Sequence, residues 1–194
     1  VIIDATLAVA RRRGFGVTVR DVAAEMGTSN GLIHHYFDSM DDVLAAAFDQ
    51  AAGSDLAAAQ AALAAVGDAP SQLTAFIERY ASAESDWTMQ LWLDAWAEAG
   101  RRAALRSASQ RINQAWHALL RDVIVRGVDS GHFTCTQPAA AAWRLLSMLD
   151  GMTLQVVAHD SLITRADVVA WATEAAANEL HIHRSPCHAA ERSA

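Results

Sequence analysis

The side chains in this sequence whose types and spacing could do chemistry fall into three groups. The first lies in residues 18–37, TVRDVAAEMGTSNGLIHHYF. If Ile33 and Phe37, one helical turn apart, face inward, Thr28, Asn30, Gly31, His34, His35 and Tyr36 stay outside, with Ser29 at the start of the helix. A polar and aromatic surface of this kind suits a helix lying in a DNA major groove. The alternative is an ordinary helical hairpin with no nucleic acid. The second group is aromatic: Phe76, Tyr80, Trp87, Met89, Trp92, Trp96, Trp116 and Met148, with the carboxylate of Asp150 among Leu146, Leu149 and Met152. Large rings around a cavity can hold an apolar ligand or a cation; taken singly, each of them also reads as core. Asp150 is a buried, satisfied acid or one that orients a ligand, as Glu98 could also do. The third group, His181, His183, Cys187 and His188, has metal-capable side chains, but no second cluster completes a tetrahedral site. His34 and His35 have no carboxylate or nucleophile placed beside them by the sequence. No phosphate-cradling glycine loop and no Ser–His–Asp order stands out. The expectation is a protein that is not an enzyme and needs no metal or cofactor.

These groups depend on helices to position them. Thr18 can cap the first helix of the hairpin, with Asp21 completing a capping box. Ala23 is small enough for a close crossing, Gly27 tolerates the positive φ that ends that helix, and Ser29 caps the second. Before the hairpin, residues 2–13 read as a helix with Ile3, Leu7 and Ala10 on one face. Gly14 ends it, and the triplet Arg11, Arg12 and Arg13 complements its dipole. That triplet is open to two readings, a solvated run or a group near phosphate. After the hairpin, Ser39 and Asp42 cap a long helix reaching about residue 66, with a bend or break expected at Gly53 and Ser54. Residues 67–70 read as a linker. Helices then follow from Ser71, through the tryptophan-rich stretch to Gly100, and over 102–130, 139–159 and 164–180. A short extended link, 131–135, falls between the second and third of these.

Composition agrees with an all-α protein. Of 194 residues, 53% are hydrophobic and only 19% charged, with three prolines, which argues against disorder. Two cysteines do not make a disulfide framework and suit a cytoplasmic protein. No apolar run has the bulk of a membrane span, and no secretory signal is visible. The net charge of −7 runs against a general nucleic-acid binder, and all fifteen basic residues are arginine. In residues 1–40, four arginines (Arg11, Arg12, Arg13, Arg20) face four acids (Asp4, Asp21, Glu25, Asp38). Backbone N–H groups at helix starts and hydroxyls must therefore hold much of any phosphate.

Residues 2–48 resemble the DNA-binding domain of TetR-type transcriptional regulators. The resemblance is carried by IIDATLAVARRRGFGVTVRDVA and by SNGLIHHYFDSMDDVL, where Ser29, Gly31, Tyr36, Phe37, Ser39 and Leu44 match the family signature. Asn30 stands for the frequent Lys, His34 for the usual Tyr and Met40 for the usual Lys. Near the C-terminal half, WLDAWAEAG, RGVDSGHF and LLSMLDGMTLQV resemble the choline-responsive repressor branch, which includes regulators of other ligands. The resemblance implies a three-helix helix-turn-helix domain over 1–47 and a helical ligand-binding and dimerisation domain over 48–182. A tail, 183–194, follows. It implies a homodimeric repressor that binds a pseudo-palindromic operator on double-stranded DNA and is released by a small apolar or cationic effector. Thr18, Thr28 and Tyr36 would lie near phosphates, with Asn30, His34 and His35 near base edges. The dimer would form through residues 139–159 and 164–180. The other reading kept open is a helical small-molecule-binding protein or enzyme whose helix-turn-helix is only architectural.

Overall fold

The computed structural model describes residues 1–159 and 163–182. The histidine and cysteine positions His183, Cys187 and His188, and the expected tail 183–194, lie outside the described residues. Among those described, nine α-helices and one 3-10 turn account for the regular structure, and no strand is present.

The head is built from α1 (Ile2–Arg13), α2 (Val19–Glu25), α3 (Asn30–Tyr36) and the start of α4 (Met40–Ala64). Local chemistry explains each boundary. Gly14 ends α1 at φ +67°, the left-handed region that favours glycine. Thr18 and Asp21 form the expected capping box at α2. At its far end the N–H of Gly27 bonds to Ala24 O and that of Thr28 to Ala23 O, a Schellman closure with Gly27 at φ +63°. Ser29 occupies the N-cap position of α3 in extended conformation, but its side chain makes no cap hydrogen bond. Its hydroxyl therefore stays free of the helix, contrary to the expected cap. Val9, Ala10, Phe15, Val17, Val22, Ala23, Ile33 and Leu44 form the core of the head.

The arginine triplet is used inside the protein. Arg12 pairs with Glu25 at 2.5 Å and Arg13 with Asp21 at 2.7 Å, both clamping α1 to α2. The Arg11 guanidinium lies over the Trp87 ring, 4.7 Å from its centroid. Arg20, exposed on α2, has no side-chain partner among the described residues.

The body comprises α4, α5 (Ala69–Tyr80), α6 (Asp86–Ala99), α7 (Ala103–Asp129), α8 (Pro138–His159) and α9 (Arg165–Glu179), with the 3-10 turn Ala83–Ser85 leading into α6. Three expectations are corrected here. Helix α4 runs unbroken through Gly53 and Ser54. There α4 passes close to α7, and a Cβ on Gly53 would come to 4.0 Å from Ile112 Cδ1. A side chain there would make only ordinary contact, and packing on α7 carries the helix through these two weak helix formers. The linker at 67–70 shrinks, because Asp68 accepts from the Ser71 N–H at 2.7 Å and α5 already starts at Ala69. Pro70 is tolerated in that first turn, where its missing N–H has no helical partner to lose. Helix α8 starts one residue earlier, at Pro138, for the same reason.

Helix α4 joins head to body and packs most extensively on α7. The junction is also capped in trans. Arg102 stands at the N-cap of α7 with no side-chain cap of its own, and Asp41 of α4 accepts from the Ala104 N–H at 3.1 Å instead. No described helix is long and apolar enough to cross a membrane.

Candidate DNA-recognition surface and effector cavity

Helix α3 is anchored by Ile33, which is buried, and flanked by half-buried Phe37. That anchoring leaves Ser29, Asn30, Gly31, His34, His35 and Tyr36 exposed, with Thr28 half-buried at the turn. Leu32 joins this surface at 37% exposure and Tyr36 reaches 65%. The His35 and Tyr36 rings meet edge-on at 5.0 Å. Thr18 sits apart from α3, at the head of α2, where its hydroxyl donates to Asp21 at 2.6 Å. The residues singled out in α3 therefore share one exposed surface with a free hydroxyl at its start. Met40 is half-buried against the core, so the position where a cation is usual in the family contributes packing here. Arg20, a cation on the same small domain with no side-chain partner among the described residues, was not among the residues expected to touch DNA. Its signal was in the sequence only as one of four arginines; that the other three are engaged is visible in the fold alone.

In the body the expected aromatic residues separate into layers. A small cavity of about 20 Å³ is lined by Asp55, Tyr80, Ser85, Thr88, Met89, Trp92 and Trp116. It holds roughly one water molecule. Phe76 lies behind it, 5.9 Å from Tyr80 and 5.8 Å from Trp116, while Trp116 also meets Tyr80 edge-on at 5.3 Å. Met148 lines a separate apolar void with Phe76, Leu73 and Leu149. Trp96 packs its ring on Trp92 at 5.5 Å but stays 41% exposed. Trp87 sits against Arg11, outside the cavity lining. Glu98 pairs with Arg101 at 2.8 Å and Arg102 at 3.1 Å at the end of α6, so it is not available to balance a charge in the cavity.

Asp150 accepts a hydrogen bond from the Tyr80 hydroxyl and so stands directly behind the cavity wall. Burial pushes its carboxyl above the usual aspartate value, and the Tyr80 hydrogen bond only partly opposes this. Burial and then the Asp150 charge push the Tyr80 hydroxyl well above its ordinary value, so it remains a donor. One turn further along α8, Thr153 is buried with a hydroxyl that has no hydrogen-bond partner among the described residues. Asp55, which sequence reasoning missed, pairs with Arg79 across α4 and α5. Burial raises its carboxyl and the Arg79 charge lowers it. Ser85 and Thr88 were missed as well. Asp55 and Arg79 are 24 residues apart, and no periodicity within either helix could have joined them. The cavity thus offers three aromatic rings, a methionine, a paired carboxylate and, behind Tyr80, a carboxylate with no cation partner among the described residues.

Comparison with known proteins places these two regions. The model for bacterial regulatory proteins of the tetR family matches residues 2–47, and the model for the C-terminal part of BetI-type transcriptional repressors matches residues 69–181. An uncharacterized HTH-type transcriptional regulator of Bacillus subtilis strain 168, YfiR, is 26% identical over 175 residues, covering 86% of this chain and 82% of that protein. Among solved structures, a protein assigned as a transcriptional regulator of Pseudomonas aeruginosa PAO1 superposes with a TM-score of 0.82 at 29% identity, covering 91% of this chain and 87% of that one. A regulator from Saccharomonospora viridis in complex with choline superposes at 0.79 with 24% identity, over 89% of this chain and 92% of its own, and shows the shared fold.

Proposed function

The chain belongs to the tetR family of bacterial transcriptional regulators, with a C-terminal part of BetI type, and we propose that it is a homodimeric, cytoplasmic repressor released from its operator by a small molecule. The observation that carries the DNA reading is α3, which buries Ile33 and leaves its polar residues exposed. An architectural hairpin needs only the buried half of that helix. In the proposed complex α3 enters the major groove with Asn30, His34 and His35 at base edges. Thr18, Thr28, Ser29, Tyr36, the amide of Gly31 and the Arg20 cation lie near phosphates. Two-fold symmetry spaces two such helices about one DNA turn, roughly 34–36 Å, apart.

Exposed Trp143 on α8 and Trp171 on α9, at 40% and 46%, support dimerisation through residues 139–159 and 164–180. Large rings left open on two adjacent helices are what an isologous interface covers.

For the effector, the cavity chemistry favours a small amine over a neutral apolar molecule. Trp92, Trp116 and Tyr80 supply aromatic rings, and Asp150 is a partly desolvated carboxylate with no cation partner among the described residues. At about 20 Å³ the cavity must enlarge to admit any such ligand, so binding favours a different wall arrangement from the one described. A ligand shifts the equilibrium only through that difference in affinity.

The test has two parts. A duplex selected by the protein from a random pool should be pseudo-palindromic and retained by a dimer. Choline and its uncharged analogue 3,3-dimethylbutan-1-ol then probe the cavity, with tryptophan fluorescence and operator release followed together. Release by the cation alone supports the amine reading; release by both equally favours an apolar effector. Quenching without release removes the cavity from the switch.

A further inference from the structure

Helix α6 has different neighbours on its two sides. At about 100° per residue, Thr88, Met89 and Trp92 fall together on one side, and all three line the cavity. Trp87 and Asp94 fall on the nearly opposite side, against the end of α1. There the Trp87 ring lies under Arg11, and the Asp94 carboxylate lies on Gly14. A Cβ at Gly14 would stand 3.0 Å from Asp94 Oδ2 and 3.4 Å from Oδ1, so a side chain there would press on this carboxylate in addition to the strain of φ +67°. Burial raises the pKa of this carboxyl, and Gln90 and then the nearby backbone N–H of Phe15 oppose the rise. Gln90 donates to Oδ1 at 3.5 Å and steadies it from its own helix.

The turn that Asp94 holds is not loosely attached. Phe15 is 2% exposed in the core of the head, and Arg12–Glu25 and Arg13–Asp21 tie α1 to α2 on either side of it. A displacement of the turn therefore carries the helix-turn-helix with it. On the other side, the cavity is water-sized, so anything larger must displace part of a wall to which α6 contributes Thr88, Met89 and Trp92. Close-packed interiors pass such displacements on instead of absorbing them.

We propose that Asp94 is the positioning residue that passes movement of the cavity wall to the DNA-binding head, by gripping the turn at Gly14 and Phe15 while Trp87 and Arg11 steady the same side of α6. This rests on the reading of the chain as an effector-controlled DNA-binding protein. Asp94 touches neither the cavity nor the recognition surface. Its effect is on the coupling between them.

The experiment uses the full chain and needs no ligand. Met89→Phe adds volume inside the cavity, and Thr88→Leu serves as a second wedge if that variant does not fold. Operator affinity is measured for the wedge, for Asp94→Ala and for the double variant, on a duplex that the wild-type chain selects from a random pool. The wedge should weaken binding about tenfold when Asp94 is present and less than about threefold when it is not. In parallel, amide exchange at Phe15 should be about tenfold faster in Asp94→Ala and near the wild-type rate in Asp94→Asn, whose side-chain oxygen still accepts. A wedge that weakens binding equally in both backgrounds, or not at all, overturns the proposal, as does unchanged Phe15 exchange in Asp94→Ala. If the wild-type chain selects no duplex, the DNA-binding reading falls and takes this proposal with it, a result distinct from loss of the Asp94 effect alone.

Discussion

The Tyr80 hydroxyl of α5 donates a hydrogen bond to the carboxylate of Asp150 on α8, 70 residues away in the chain. It joins the aromatic wall of the cavity to a helix of the proposed dimer surface. Tyr80→Phe leaves a partly buried carboxylate without its donor. The expected loss is about 1.5–3 kcal/mol of stability at neutral pH, read from denaturant midpoints.

Asp150→Asn should act in the opposite direction. Burial raises the folded pKa of Asp150 above the usual 3.8, so the folded state holds this proton more tightly than the unfolded chain. Its favourable contribution is present when the group is protonated in both states, below 3.8, and is lost as pH rises through the folded value. At neutral pH the charged form is therefore a burden, and the neutral amide, which still accepts from Tyr80, should raise Tm. That gain should shrink toward zero as the melts are taken to acid pH. A gain independent of pH would show that the charge is not its cause. The same variant should weaken binding of choline but not of 3,3-dimethylbutan-1-ol.

Arg20 is the head arginine without a side-chain partner among the described residues. Arg20→Ala should weaken binding to all duplexes about equally and lower the slope of log K against log salt by about 1. Arg13→Ala breaks a clamp to Asp21 and should change thermal stability more than the salt slope. Met40→Lys should tighten binding without sequence preference, because the stem can keep the half-buried packing while the ammonium reaches solvent. Unchanged salt slopes in Arg20→Ala would take this cation off the interface.

Trp171→Glu places a charge on an exposed ring position of α9. Sedimentation at micromolar concentration should show a dimer for the wild-type chain and a monomer for the variant, which should lose palindromic binding but keep its helical circular dichroism. A dimer in both would move the interface away from α9.

Phe133 packs on Gly127 so closely that a Cβ there would lie 2.0 Å from Phe133 Cδ2. Gly127→Ala must displace a ring that is only 3% exposed. The expected loss is about 1–3 kcal/mol, with a lower Tm and little change in the effector-free operator preference of what remains folded. Gly127→Ala combined with Phe133→Leu should recover part of it.

The sequence by itself determined the elements and the family. Capping residues such as Thr18 with Asp21 and Thr164 with Asp167, the glycines at 14 and 27, and the 3.6-residue recurrence of apolar side chains all act over a few positions, so their consequences are legible locally. The exposed surface of α3 was legible for the same reason, since one buried Ile33 defines which side remains outside. What only the tertiary structure decided is which distant groups meet. Trp87, Trp92 and Trp96 look alike as a periodic series, yet one meets Arg11, one lines the cavity and one stays partly exposed. Glu98 and Asp55 are both acids on helices, but the first is spent on neighbouring arginines and the second stands in the cavity wall. Asp41 could be read as first-turn chemistry for its own helix, and in the fold it also caps α7. These outcomes depend on the relative placement of whole helices, set by the sum of many packed side chains; no single stretch of chain contains that sum.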